Sequence, residues 1–163
     1  MSDLDILKQK LENATRVAVL GVGSELRSDD IAGLLVAQQI EKTITKQITS
    51  PEVRVFIGET APENLTGEIK KFQPTHLIII DAAELNKKPG HIEIMEPGTI
   101  GGTSFCTHSL PLKIIIGYLL ESFKFQAIII GIQPKTLLFG AQPTKEVVAA
   151  AKHLAKAITK LLK

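Results

Sequence analysis

The sequence predicts an α/β fold: a three-layer sandwich with a mainly parallel, twisted sheet of about five strands and helices on both faces. Short, continuous apolar runs recur along the chain, as expected for strands that are buried on both faces. Amphipathic helical patterns alternate with these runs, which is typical of parallel sheets. With 163 residues, 44% of them hydrophobic, the chain suits one domain, residues 1–163, with its own core.

The predicted strands differ in how strongly apolar and polar residues alternate along them. Four are mainly apolar, whereas residues 91–95 place Ile92 and Ile94 against polar neighbours and therefore indicate a more exposed edge strand. Asp81 follows four apolar residues and is expected to end the third strand. In chain order, the predicted strands are residues 17–23, 53–57, 77–80, 91–95 and 127–132.

Apolar residues at helical spacing predict the helices. Pro111 would lie in the first turn of the fourth helix, where its missing N–H is harmless. The loop before that helix, residues 96–107, contains three glycines, and loops of this length are often functional. The predicted helices are residues 4–14, 30–44, 62–72, 108–123 and 143–163.

Charge and composition exclude several classes of protein. The chain has 19 Lys and Arg against 17 Asp and Glu, and its isoelectric point of about 8.6 is low for a nucleic-acid binder. One Cys excludes an intramolecular disulfide and a multi-Cys zinc site. No apolar run approaches the ~18 residues of a membrane span, and the N-terminus lacks the basic start of a signal peptide. We therefore expect a cytoplasmic protein with no nucleic-acid or membrane partner.

Ligands of open α/β sheets bind beyond the carboxyl ends of the strands. The first such segment begins with Gly21-Val22-Gly23, which is similar to the start of a dinucleotide-binding fingerprint. Leu26 stands where the fingerprint has its third glycine, and nearby acids such as Glu25 would repel a pyrophosphate. The motif match is therefore weak, and nucleotide binding is kept as an alternative only. The segments expected at this edge are residues 23–30, 81–84, 97–108 and 133–140.

Three side chains in these segments could act together on a divalent metal. Asp30, Asp81 and His108 lie on three separate connections at the carboxyl side of the predicted sheet. Two carboxylates and an imidazole suit Ni, Zn, Mn or Fe, and they could equally position and deprotonate a water. Helix capping would need only one of Asp29 and Asp30, which leaves the second acid to point into the crevice.

The other candidate residues have simpler explanations. His91 lies on the predicted edge strand and His153 within the last helix, while His76 precedes the third strand at the end opposite the crevice. Cys106 is interpreted as a small, partly buried apolar residue, since free Cys usually behaves in that way.

Residues 21–33, GVGSELRSDDIAG, resemble the opening signature of the hydrogenase maturation endopeptidases, which runs approximately G-x-G-N-x-L-x-x-D-[DE]-x-x-G. The resemblance continues in order along nearly the whole chain. It includes HLIIIDA at residues 76–82, then Thr107 and His108 before an apolar helix, and then IIGIQP at residues 129–134.

Two positions depart from the family pattern, and neither removes a candidate ligand. Ser24 replaces the usual Asn, which changes the loop's hydrogen bonding, and Ile31 replaces a common Gly. Carried over residue by residue, the resemblance implies that Asp30, Asp81 and His108 contact nickel and that Asp30 and Asp81 are the catalytic residues.

The resemblance implies an endopeptidase of narrow specificity. Such an enzyme removes the C-terminal extension from a [NiFe]-hydrogenase large-subunit precursor after nickel insertion, and the substrate's nickel serves as the recognition element. Other divalent ions could occupy the same ligands at high concentration. The implied partner is that precursor, and a monomer is expected. The absence of HExxH, GxSxG and paired Asp-Thr-Gly motifs agrees with this interpretation. A nucleotide-binding protein and a non-enzymatic nickel chaperone remain the alternatives.

Overall fold

A computed structural model describes residues 1–44, 50–98, 104–105 and 111–163. The strands are β1 (Arg16–Val22), β2 (Glu52–Glu59), β3 (His76–Glu84), β4 (Ile92–Met95), β5 (Ser104–Phe105) and β6 (Gln126–Ile132). The helices are α1 (Asp3–Lys10), α2 (Ala32–Ile44), α3 (Thr66–Phe72), α4 (Leu112–Leu120) and α5 (Lys145–Leu161). Single 3-10 turns at Ser28–Ile31 and Pro62–Leu65 precede α2 and α3.

The strands form a mainly parallel sheet in the order β2-β1-β3-β6-β4. β1 pairs in parallel with β2 and β3, and β3 pairs in parallel with β6. β4 runs antiparallel to β6 at one edge, while β5 adds a short antiparallel pairing to the end of β3. This confirms the predicted five-stranded, mainly parallel sheet, including its edge strand.

The core has two halves, one on each face of the sheet. Ile78 and Ile80 of β3 pack in a cluster with α1, α2 and α5, whereas Leu77 and Ile79 pack in a second cluster with α3 and α4. This alternation is the period of two that a strand buried on both faces requires. The three-layer sandwich that the sequence predicts is therefore confirmed.

The prediction that Asp81 ends the third strand is wrong. Asp81 and Ala82 remain in register with Gly131 and Ile132 of β6, and β3 continues to Glu84. A charged residue interrupts the apolar pattern without interrupting the backbone ladder, because main-chain hydrogen bonds do not depend on the side chain.

Several predicted helix bounds also shift. The first helix ends at Lys10, and Asn13 beyond it has a positive φ of 63°. The pattern from Asp30 begins as a 3-10 turn, and Pro111 is the N-cap of α4. Residues 108–110 lie outside the described residues, as does most of the predicted loop 96–107 apart from its first three residues and β5. None of the described helices is long and apolar enough to cross a membrane.

Candidate functional site

Asp30 and Asp81 both lie at the carboxyl edge of the sheet, Asp81 on β3 and Asp30 in the turn that follows the neighbouring strand β1. β1 and β3 are parallel and adjacent, with Gly21 opposite Ile80. Asp81 directly follows Ile80, while Asp30 lies in the 3-10 turn that connects β1 to α2. Both acids are fully buried, with 0% of their surface exposed. The structure thus places these two predicted site residues where the sequence expected them.

The start of α2 is pressed against the ends of both strands, and this fixes the turn that contains Asp30. A Cβ on Gly33 would lie only 2.1 Å from the carbonyl oxygen of Ile80 and 2.3 Å from that of Val22. Only glycine permits such a close approach of two backbones. The first turn of α2 is therefore seated beside the residue that precedes Asp81.

The loop before the turn also closes onto Asp30. The N–H of Ser24 donates to the carbonyl of Asp30 at 3.2 Å. Gly23 has a φ of 153°, and a Cβ there would lie 2.0 Å from the same carbonyl oxygen. The backbone on both sides of Asp30 is therefore held closely, which fixes where its side chain begins.

Asp81 belongs to the face of the sheet that is covered by α3 and α4. Side chains alternate along a strand, so Asp81 shares a face with Leu77 and Ile79 rather than with Ile80. α4 is the helix that follows His108 in the sequence. Asp81 therefore faces the layer that contains α4, the helix that follows His108 in the sequence.

The two carboxylates have the chemistry to bind a cation. Within the described residues, Oδ1 of Asp30 and Oδ1 of Asp81 are buried atoms that accept no hydrogen bond, although each residue makes another interaction. Burying a carboxylate is costly unless a cation, a proton or hydrogen bonds compensate its charge. Carboxylate oxygens are ligands of divalent metals, so Asp30 and Asp81 are the residues that could hold a cation here.

Asp29 has a different role from its neighbour. Its carboxylate accepts hydrogen bonds from the N–H groups of Lys135 (2.8 Å), Thr136 (3.3 Å) and Thr144 (2.7 Å), and from the hydroxyl of Thr144 (2.9 Å). One acid of the pair is therefore structural, as expected. It does not cap the following helix, however, because it instead binds the loop at residues 133–144 and the N-cap of α5, Thr144.

Gln133 has a structural role at the same edge that was not predicted from the sequence. Its Oε1 accepts from the N–H of Leu85 at 2.6 Å and of Lys87 at 3.3 Å, and its Nε2 donates to Glu84 at 3.0 Å. Gln133 is 4% exposed and joins the end of β6 to the end of β3. A buried amide directly after an apolar strand is the signal that could have identified it.

The remaining predicted site residue, His108, lies outside the described residues, as does Cys106. Within the part of the chain that is described, no group of three His, Cys, Asp or Glu side chains could bind a metal. His76 is the first residue of β3 rather than the residue before it, and it lies at the opposite edge of the sheet, as expected. Burial there lowers its pKa.

Comparison with known proteins decides the family. The sequence profile of the HycI hydrogenase maturation proteases matches residues 34–161. This chain belongs to the hydrogenase maturation protease family. The matched range includes Asp81 and His108 and begins after Asp30. The hydrogenase 3 maturation protease of Escherichia coli K12 is 35% identical over 136 residues, which are 80% of this chain and 82% of that protein.

Solved structures of hydrogenase maturation proteases share the fold. The crystal structure of HycI from Thermococcus kodakarensis has a TM-score of 0.85 at 28% identity, covering 96% of this chain and 98% of that one. The solution structure of the endopeptidase HycI from Escherichia coli has a TM-score of 0.74 at 33% identity, covering 87% of each chain. As a member of this protease family, the chain is a peptidase.

Proposed function

We propose that this chain removes the C-terminal extension of a [NiFe]-hydrogenase large-subunit precursor, and that it recognises the nickel already bound in that precursor. Asp30, Asp81 and His108 are the proposed nickel contacts, and Asp30 and Asp81 the proposed catalytic residues. The enzyme acts as a monomer in the cytoplasm, as one peptidase domain over residues 1–163. Family membership and the hydrogenase maturation role named for the relatives support this proposal.

One observation carries the proposal: two fully buried carboxylates lie at the carboxyl edge of adjacent central strands. That edge is where open α/β sheets bind their ligands. Phe105 of β5 pairs with Ala83 of β3, two residues after Asp81. The chain is therefore close to Asp81 at Phe105, three residues before His108.

The proposed reaction combines docking through the precursor's nickel with proton transfer by a positioned carboxylate. The carboxylates of Asp30 and Asp81 and the imidazole of His108 bind the precursor's nickel, which brings the scissile peptide into the crevice. One carboxylate accepts a proton from the attacking water and returns it to the leaving amide nitrogen. Because docking depends on nickel, a precursor without the metal lacks the contact that places its peptide bond.

The decisive experiment is incubation of the purified protein with a nickel-loaded precursor, followed by measurement of the intact mass of the large subunit. We expect a mass loss that corresponds to a C-terminal peptide. A metal-free precursor should stay intact. Asp30→Asn and Asp81→Asn should abolish the mass loss, whereas Asp3→Asn makes the same change at an exposed acid of α1 and should leave it unchanged.

The two alternatives give different results. A nucleotide-binding protein would bind a nucleotide saturably and leave the precursor intact. A nickel chaperone would bind free nickel tightly and also cleave nothing. Either result, together with an unchanged precursor mass, would refute the proposed function.

A further inference from the structure

The exposed apolar side chains are unevenly distributed over the described residues. Apart from the terminal Met1, the three most exposed large apolar residues are Phe139 (78%), Leu138 (67%) and Leu26 (61%). All three lie on loops at the carboxyl edge of the sheet, between β1 and α2 or between β6 and α5. Single exposed apolar residues are common, but a cluster of them marks an interaction surface.

A direct hydrogen bond joins the two loops. The N–H of Gly140 donates to the carbonyl of Leu26 at 2.7 Å. Gly140 has a φ of 81°, in the left-handed region that favours glycine, and it directly follows Phe139. The two loops are therefore adjacent, and we name their three exposed apolar residues, Leu26, Leu138 and Phe139, the apolar rim.

The apolar rim is held by the turn that contains the candidate catalytic acid. Asp29 accepts hydrogen bonds from Lys135, Thr136 and Thr144, as described above, and its own N–H donates to the carbonyl of Thr136 at 3.2 Å. The hydroxyl of Ser28 donates to the carbonyl of Gln142 at 2.9 Å. These bonds hold the loop on both sides of Leu138 and Phe139, and Asp29 is the neighbour of Asp30.

The apolar rim also continues into a groove beside the same turn. Leu26 forms part of the wall of an open cavity of about 290 Å³. This cavity runs from the loop after β1 to the end of β2. Its other lining residues are Gly23, Ser24, Glu25, Glu59 and Thr60.

We propose that the apolar rim binds an apolar segment of the precursor polypeptide, and that Asp29 is a positioning residue that holds the rim in place. This inference rests on the proposed function. The occupant is the substrate because the rim and the turn of Asp30 are parts of one hydrogen-bonded unit. A polypeptide that places its peptide bond beside Asp30 would lie next to that unit. Aromatic side chains such as Phe139 are enriched in the cores of protein interfaces.

The test measures cleavage kinetics of the nickel-loaded precursor with Leu138→Ala and Phe139→Ala. We expect KM to rise about tenfold for Phe139→Ala, the scale of an interface anchor, with kcat within about twofold of its original value. Leu4→Ala, which removes a partly exposed leucine from α1, is the matched control and should leave both constants unchanged.

The positioning role of Asp29 is tested with a double-mutant cycle that combines Asp29→Asn with Phe139→Ala. Asp29→Asn should also raise KM, and its effect should largely disappear when Phe139→Ala is already present. Thr144→Val removes one hydrogen-bond donor without changing Asp29 and should raise KM less, while Thr144→Ser should restore the original KM. If Asp29→Asn fails to fold, the Thr144 pair supplies the same comparison.

Each other outcome overturns a stated part of the inference. An unchanged KM for Phe139→Ala refutes docking at the apolar rim. Fully multiplicative effects of Asp29→Asn and Phe139→Ala refute positioning by Asp29. A dimer in solution that dissociates on Phe139→Ala assigns the rim to a second copy of the chain instead. Normal cleavage by Asp30→Asn refutes the proposed function, which the rim variants do not address.

Discussion

The two edges of the sheet differ in the kind of polar group that they bury. At the amino edge the buried titratable residue is His76, whose pKa is lowered by burial, so that its neutral form is favoured. At the carboxyl edge Asp29, Asp30 and Asp81 are all fully buried. Among the described residues, the amino edge therefore buries an imidazole, whereas the carboxyl edge buries three carboxylates. Asp30 and Asp81, the two acids of the proposed site, belong to the carboxyl edge.

Hydrogen bonds connect the elements at both edges. At the amino edge the hydroxyl of Thr75 accepts from the N–H groups of Thr15 and Arg16, donates to the carbonyl of Arg16 and contacts Nδ1 of His76 at 2.9 Å. This network connects the start of β1 to the start of β3. Polar groups there hold the strands together, and at the carboxyl edge Asp29 and Glu84 have comparable structural contacts, with Lys135 and Thr144 donating to Asp29 and Gln133 donating to Glu84.

The largest expected effect is on activity. Asp30→Asn and Asp81→Asn each preserve side-chain shape and remove the charge, so we expect precursor processing to fall about a thousandfold, with little change in the free energy of unfolding. Intact-mass kinetics and chemical denaturation would measure the two quantities separately. If either variant processed the precursor at the normal rate, that acid would be as structural as Asp29.

The converse is expected for Asp29→Ala. Removing its carboxylate leaves the N–H groups of Lys135, Thr136 and Thr144 without their acceptor, and we expect a loss of about 2–4 kcal/mol in the free energy of unfolding. Urea denaturation would measure this loss. Asp3→Ala in α1 is the exposed control and should change stability by less than about 0.5 kcal/mol. Equal effects at both sites would contradict the structural role of Asp29.

Gly33→Ala tests how firmly α2 is seated on the carboxyl edge. The added Cβ would meet the Ile80 carbonyl at 2.1 Å, so we expect a loss of about 1–3 kcal/mol in stability and lower activity. Gly117→Ala in α4 is the control, because nothing lies within 4 Å of the added atom. That variant should gain about 0.5–1 kcal/mol, since alanine favours helix interiors. A stable, fully active Gly33→Ala would show that α2 can shift without disturbing the site.

The smallest effect concerns the amino edge. Burial lowers the pKa of His76 in the folded state, so its stabilising contribution is complete above its unfolded pKa of about 6.5 and is lost as pH falls below that value. Thermal unfolding of His76→Gln should depend less steeply on pH between about 7 and 5 than that of the original protein. His153→Gln, at an exposed position of α5, should retain the original slope. Identical slopes in all three proteins would contradict this assignment.

The fold could be predicted because its signals are local. Runs such as residues 77–80 and 128–130 are buried on both faces, and helical spacing identifies α2 and α5. Asp81 was predicted as a site residue for the same reason, because an acid directly after an apolar run is visible in the sequence. Its continued pairing with Gly131 was not visible, since register depends on β6, about fifty positions away.

The roles of Asp29 and Gln133 could not be predicted from local patterns. The donors to Asp29 lie 106 to 115 positions further along the chain, and Gln133 bonds to groups 46 to 49 positions earlier. Sequence alone shows that one acid of the pair is sufficient for a cap, but not which acid turns toward which neighbour. These partners come together only in the folded structure, where the loop before α5 lies beside Asp29 and the end of β6 lies beside the end of β3.

The position of β3 in the sheet has a consequence for hydrogen exchange. β3 is the third of five strands and is paired on both sides, with β1 and with β6. Amides in such a strand exchange mainly through global unfolding, whereas loops and edges open locally at much lower free energy. The amide groups of β3 should therefore be among the slowest to exchange, and Asp81, which pairs with Gly131 of β6, is carried on this strand. The proposed site acid thus lies on a part of the molecule that opens only when the whole domain unfolds.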